Sequence, residues 1–181
     1  MVIGIAGSFG AGKGAVVDYL ISKKKFKHYS ASGFITEEIE RQGLPVDRDS
    51  MTIVANDLRK AHGPSYIIES LYQRALENGG NVVIESLRAV AEVRMIKELG
   101  GVVLGVDADA QIRYDRSQVR GSIKDGVSFE KWAAQEKEES NPEDPTKQNI
   151  FGALAEADYV VTNNDSFENL HTQIEDVLQK I

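Results

Sequence analysis

Short, mostly apolar runs punctuate the chain at Val2–Ala6, Phe26–Ala31, Asn81–Glu85, Val102–Val106 and Tyr159–Thr162. Runs of this length and character predict strands buried on both faces rather than half-wet ones. The stretches between them carry apolar residues at helical spacing. Lys13–Ser22 holds Val16, Val17, Leu20 and Ile21. Thr52–Ala61 follows Ser50, a residue type that caps helices, and Ser65–Asn78 follows Pro64 and stops at Gly79-Gly80. Further helices are predicted over Ala89–Leu99, Ala110–Val119, Phe129–Glu138, Gln148–Ala155 and Phe167–Lys180. Strands that alternate with helices imply an α/β fold, a parallel sheet covered on both faces.

One extended stretch breaks the periodicity. Ser140–Lys147, SNPEDPTK, has two prolines and acidic residues and reads as a loop. No internal repeat or linker divides the chain, so one domain over residues 1–181 is expected.

The first predicted strand runs into Gly7-Ser8-Phe9-Gly10-Ala11-Gly12-Lys13-Gly14, and a helix opens at Lys13. This is G-x-x-x-x-G-K (a Walker A loop) in its strand–loop–helix setting. Small residues let the backbone curl around an oxyanion and aim its N–H groups inward. Lys13 brings a point charge for the β- and γ-phosphates, and the helix adds its positive end. Gly7, Ser8, Phe9, Gly10, Ala11, Gly12, Lys13, Gly14 and Ala15 are therefore the expected phosphate-binding residues. The hydroxyl that usually follows the lysine and contacts Mg²⁺ is absent, because Gly14 and Ala15 stand there. Phosphates, waters and a carboxylate would hold the ion instead, with Ser8 as a supporting hydroxyl.

Composition narrows the chemistry. The 181 residues include no cysteine, which excludes disulfides, thiol catalysis and Cys-ligated zinc. The three histidines, His28, His62 and His171, show no metal spacing. Trp132 reads as packing. No apolar run approaches the ~20 residues of a membrane span. The start of the chain lacks a basic leader, so a cytoplasmic protein is the expectation. The net charge is −7, from 21 Lys+Arg and 28 Asp+Glu. It is unevenly spread: residues 1–125 hold 17 basic and 16 acidic side chains, residues 126–181 hold 4 and 12. An acidic chain argues against extended nucleic acid as partner, while the near-neutral first part keeps the arginines suited to small phosphates.

With the loop in place, the chain resembles the nucleoside monophosphate kinase group of P-loop proteins, and also dephospho-coenzyme A kinases. The resemblance runs over nearly the whole length. In Asn81–Arg88, NVVIESLR, a strand ends in an acid and an arginine follows three positions later. The resemblance implies that Glu85 orders the Mg²⁺ hydration shell, binding metal through water, or orders the acceptor, and that Arg88 grips the acceptor phosphate. In DADAQIRYDRSQVRG, Arg113, Arg116 and Arg120 fall at i, i+3 and i+7, on one helical face. In similar kinases such arginines, from a lid, act on the transferring phosphoryl group, which assigns Arg116 and Arg120 that role. The last predicted strand and its loop, ADYVVTNNDSF, resemble the segment lying against adenine, which makes Asn163 and Asn164 candidates for the base.

The acceptor side matches less well. Where related kinases carry Ser/Thr-Gly-Asp-x-x-Arg, this chain has Ser32-Gly33 followed by Phe34 and, later, Glu37. Ser32 is kept as a substrate contact. Among Arg41, Arg48 and Arg59, Arg59 is the first choice for the acceptor. The resemblance thus implies a three-layer P-loop kinase fold with a five-stranded parallel sheet in the order 2-3-1-4-5. It adds a small acceptor-binding helical region at about 32–78 and a lid at about 113–147. The expected activity is ATP- and Mg²⁺-dependent phosphoryl transfer to a nucleoside or deoxynucleoside monophosphate. Dephospho-coenzyme A kinase is the rival within enzymes, and a regulatory nucleotide-binding protein the rival outside them. The expected partner is a small phosphorylated acceptor, with no membrane, and the chain a monomer or homodimer.

Overall fold

The computed structural model describes residues 1–119, 128–138, 140, 144 and 147–181. Five strands form one parallel sheet: β1 (Val2–Gly7), β2 (Lys27–Ser30), β3 (Val82–Leu87), β4 (Val102–Asp107) and β5 (Tyr159–Thr162). Their spatial order is β2-β3-β1-β4-β5, as expected. Helices α1 (Lys13–Lys24), α2 (Ala31–Arg41), α3 (Arg48–His62), α4 (Tyr66–Asn78), α5 (Val90–Glu98), α6 (Ala110–Val119), α7 (Phe129–Glu138), α8 (Ile150–Ala155) and α9 (Phe167–Leu178) fill the connections.

Two apolar layers sandwich the sheet. On one face Ile3, Ile5, Leu104 and Val106 pack against Val16, Val17 and Leu20 of α1 and Leu170 and Ile174 of α9. On the other, Val82, Ile84 and Val103 pack against Ile35 and Ile39 of α2, Ile67 and Leu71 of α4, and Val93 and Ile96 of α5. Every residue of β1 is buried, which explains its unbroken apolar run.

The helix α2 is the principal departure from the sequence expectation, which carried the second strand through Ala31 and bounded no separate helix between that strand and Thr52. Ser30 ends β2 and caps α2, its Oγ accepting from Gly33 N at 3.3 Å. Ile35 and Ile39, four apart, face the core. That spacing was present in the sequence, but the mixed polar run before it masked the start. The next helix begins at Arg48 rather than Thr52, because Asp47, not Ser50, supplies the cap, accepting from Ser50 N at 2.8 Å. Most of the loop expected over 140–147, and part of the lid, lie outside the described residues.

The register of β1 against β3 slips at one point. Ile5 pairs with Glu85 and Ala6 with Leu87, which leaves Ser86, at φ +75°, as the extra residue of a bulge. A bulge re-aims the side chains beside it, and this one flanks Glu85 at the C-terminal end of the strand.

Candidate active site

The phosphate loop is shaped by what touches it. Gly12 caps α1 at φ +96°, and a Cβ there would collide with the Asn163 carboxamide. That carboxamide is buried and donates to the Ala11 carbonyl at 2.9 Å. Gly10, at φ +76°, would push a Cβ to 2.5 Å from the Arg113 carbonyl oxygen. Both glycines are needed because distant segments lie against the loop and because the backbone is left-handed there. The first turn of α1 has no side-chain cap and no acid, so its positive end stays available to an anion.

Lys13 reaches back along the loop. Its ammonium donates to the carbonyls of Gly7 and Ser8, 2.9 Å to each, and lies 5.9 Å from the Phe9 ring. Arg88 lies against the same ring, its guanidinium carbon 5.3 Å from the centroid. Its Nη1 donates to Gln148 Oε1 at 3.3 Å. The loop lysine and the expected acceptor arginine therefore converge on Phe9, at the C-terminal ends of adjacent strands, where open α/β sheets bind ligands.

Arg59 is joined to this group through Glu92. The Glu92 carboxylate accepts from the backbone N–H of Arg88 at 2.6 Å and of Ala89 at 3.1 Å, and from Arg59 Nη2 at 3.4 Å. Arg59 is 3% exposed and Glu92 1%. The Arg59 Nε and Nη1 have no hydrogen-bond partner among the described residues. A buried guanidinium with two such donors is suited to an anionic ligand. Arg116, on α6, likewise has a buried Nη1 without a partner among the described residues. Arg120 lies outside the described residues.

Other candidates are drawn into the fold. Asn163 braces the loop, and Asn164 Oδ1 accepts from Asp109 N at 2.8 Å. Ser32 Oγ lies 2.8 Å from Ser30 Oγ in the exposed first turn of α2. Arg41 pairs with Glu38 on the surface of α2, and the Arg48 side chain lies outside the described residues. Phe34 packs edge-on to Tyr66 and under Arg74. Arg113 is buried against Glu136 of α7, whereas Arg116, one turn on, is half-buried. Gly14 and Ala15 follow Lys13 into α1, and a Cβ on Gly14 would meet open space.

Glu85 Oε2 lies 3.0 Å from His28 Nε2. The sequence assigned His28 no role. It reaches Glu85 because β2 and β3 run parallel with His28 beside Val83 and Ser30 beside Glu85, a pairing no local pattern reveals.

The fit to a divalent ion can be tested on these residues. Among the described residues no group of three or more His, Asp or Glu side chains converges. Ser8 is 1% exposed, and its Oγ has no partner among the described residues. One carboxylate and one buried hydroxyl suit Mg²⁺, which keeps several waters and takes phosphate oxygens rather than an all-protein cage.

A bare glycine-capped helix after the central strand of a 2-3-1-4-5 parallel sheet defines a P-loop kinase fold. The chain belongs to the AAA domain family, whose family model matches residues 3–144. Over its whole length the chain is similar to UPF0200 proteins. One, from Pyrobaculum aerophilum, is 29% identical over 99% of this chain and 98% of the relative. Another, from Pyrococcus abyssi, is 29% identical over 100% and 97%. Among solved structures, TT1252 from Thermus thermophilus aligns with a TM-score of 0.68 at 19% identity, over 100% of this chain and 97% of that one. Shikimate kinase from Aquifex aeolicus aligns with a TM-score of 0.61 at 19% identity, over 99% and 97%. Likeness at this identity shows the fold. Among the described residues no helix is long and apolar enough to cross a membrane.

Proposed function

We propose that this protein is an ATP-dependent kinase that transfers the γ-phosphoryl group to a small phosphorylated acceptor, a nucleoside or deoxynucleoside monophosphate first. The observation that carries the reading is the convergence of Lys13 and Arg88 on the Phe9 ring, with Arg59 tied to the Arg88 backbone through Glu92.

The loop N–H groups, the end of α1 and Lys13 hold the ATP phosphates. Arg88 and Arg59 hold the acceptor anion, and their positive charge lets two anionic reactants approach. An acceptor oxygen attacks the γ-phosphorus; that O–P bond forms while the bond to the β,γ-bridging oxygen breaks, and ADP leaves with the electron pair. Arg116, and Arg120 with it, balance charge on the transferring group. Glu85 would hold Mg²⁺ through water, and the bound ion would supply further neutralisation of the phosphates. Catalysis is positioning and electrostatics, with no covalent enzyme intermediate.

A hydroxyl acceptor is the second reading, favoured by the presence of shikimate kinases among the structural neighbours. ADP release, measured across nucleoside and deoxynucleoside monophosphates, dephospho-coenzyme A and shikimate, tests both. Stimulation by a monophosphate supports the first reading and by shikimate the second. ADP binding without stimulated release by any of them overturns the kinase reading in favour of a regulatory nucleotide-binding protein.

A further inference from the structure

One buried cation near the loop is not used by the phosphoryl-transfer reading. Arg113 is 6% exposed. Its Nε donates to the Ala108 carbonyl at 2.9 Å, and its Nη1 donates to the Phe9 carbonyl at 3.2 Å and to the Glu136 carboxylate. The guanidinium carbon lies 5.1 Å from the Trp132 ring. Glu136 and Trp132, both on α7, are 6% and 4% exposed. The two hydrogens of one nitrogen thus go to two segments far apart in sequence, the phosphate loop and α7.

We propose that Arg113 is a positioning residue for the phosphate loop, and that through Glu136 and Trp132 it links the placement of α7 to nucleotide binding. It touches no reacting atom. Holding the Phe9 carbonyl fixes the plane of the Phe9–Gly10 peptide, and a trans peptide then sends the Gly10 N–H to the opposite side. The Arg113 carbonyl is also what crowds Gly10, so α6 constrains that peptide from both ends. Phe9 is the residue on which Lys13 and Arg88 converge, so a turn of this peptide displaces the ring that both contact. Glu136 keeps the guanidinium oriented, since a buried arginine retains one geometry only when its partner is fixed. The α7 helix carries both Glu136 and Trp132, and so moves with the loop rather than independently of it.

The inference rests on nucleotide binding at the loop, and its test separates the two. Trp132 is the only tryptophan in the chain, so intrinsic fluorescence reports on α7 alone. Titration of the full-length protein with ADP is expected to shift Trp132 emission with the same midpoint as calorimetric binding. Replacing the pair together, Arg113→Met with Glu136→Leu, fills the volume without leaving a buried charge alone. That variant is expected to keep its melting temperature and to bind ADP about tenfold more weakly, the weight of one charge-assisted hydrogen bond. Arg113→Lys keeps the cation for Glu136 but loses the fork, and is expected to lose the same affinity; it replaces the double variant if that does not fold. ADP affinity unchanged in a folded variant overturns the proposal, as does ADP binding to the unaltered protein without a change in Trp132 emission. Failure of the unaltered protein to bind ADP overturns the nucleotide reading itself and this proposal with it. ADP binding without phosphoryl transfer overturns only the kinase reading.

Discussion

The carboxamide of Asn163 donates to the backbone carbonyl of Ala11 at 2.9 Å, across 152 positions of sequence. The end of β5 thereby holds the phosphate loop, and the same carboxamide excludes any side chain at position 12. Asn163→Ala leaves a buried acceptor without its donor. The expected loss is about 1–3 kcal/mol of stability, together with weaker ADP binding. Thermal unfolding and calorimetry on one preparation check both, and a variant with unaltered ADP affinity contradicts the bracing role.

Lys13 bonds loop carbonyls at 2.9 Å and has no part in the core, so Lys13→Ala is expected to fold. Phosphoryl transfer should fall by about 100-fold or more, because the lost charge faced developing charge on the phosphates. Turnover at the unaltered rate would remove the active-site assignment.

Arg88→Ala tests the acceptor side. Its guanidinium lies against Phe9 and donates to Gln148. The acceptor KM is expected to rise about tenfold or more, with ADP affinity little changed. A defect confined to ADP binding would place Arg88 with the donor instead.

Glu92 serves two ends: it caps α5 through the N–H groups of Arg88 and Ala89, and it faces the buried Arg59. Glu92→Leu strands that arginine and is expected to cost about 3–5 kcal/mol. Adding Arg59→Met should return part of the loss, since no buried charge then remains unpaired. Denaturant midpoints of the single and double variants decide the matter; equal midpoints contradict the pairing.

Acid should destabilise the protein through partly exposed and exposed carboxylates. Hydrogen bonds from Arg41 and Gln42 hold Glu38 down from 4.5 to about 2. The Ser50 N–H lowers Asp47, Arg94 lowers Glu156, and Lys24 with Tyr19 lowers Glu175. These groups bind protons more weakly folded than unfolded. Their contribution is therefore complete above about pH 4.5 and is lost as the pH falls toward 2. Melting temperatures across that window are expected to drop steadily, and a flat profile would contradict the surface pairs.

The sequence by itself determined the parts that depend on short stretches of backbone. The loop from Gly7 to Lys13, the five strands and most of the helices follow from glycine placement, apolar period and caps, each complete within a dozen residues. The helix α2 was legible in Ile35 and Ile39 but lost among polar neighbours. The site was legible in its residue types rather than in its arrangement. Arg113, Arg116 and Arg120 share one helical face in sequence, yet Glu136 and Trp132, brought from α7, bury the first and turn it to the Phe9 carbonyl. Asn163, a candidate base contact by its position after a strand, braces the loop because Ala11 lies opposite. His28 meets Glu85 only through strand pairing, and Arg59 meets Arg88 only through Glu92. A side chain's partner is set by which distant segments the sheet brings together, and that pairing is a property of the packed whole.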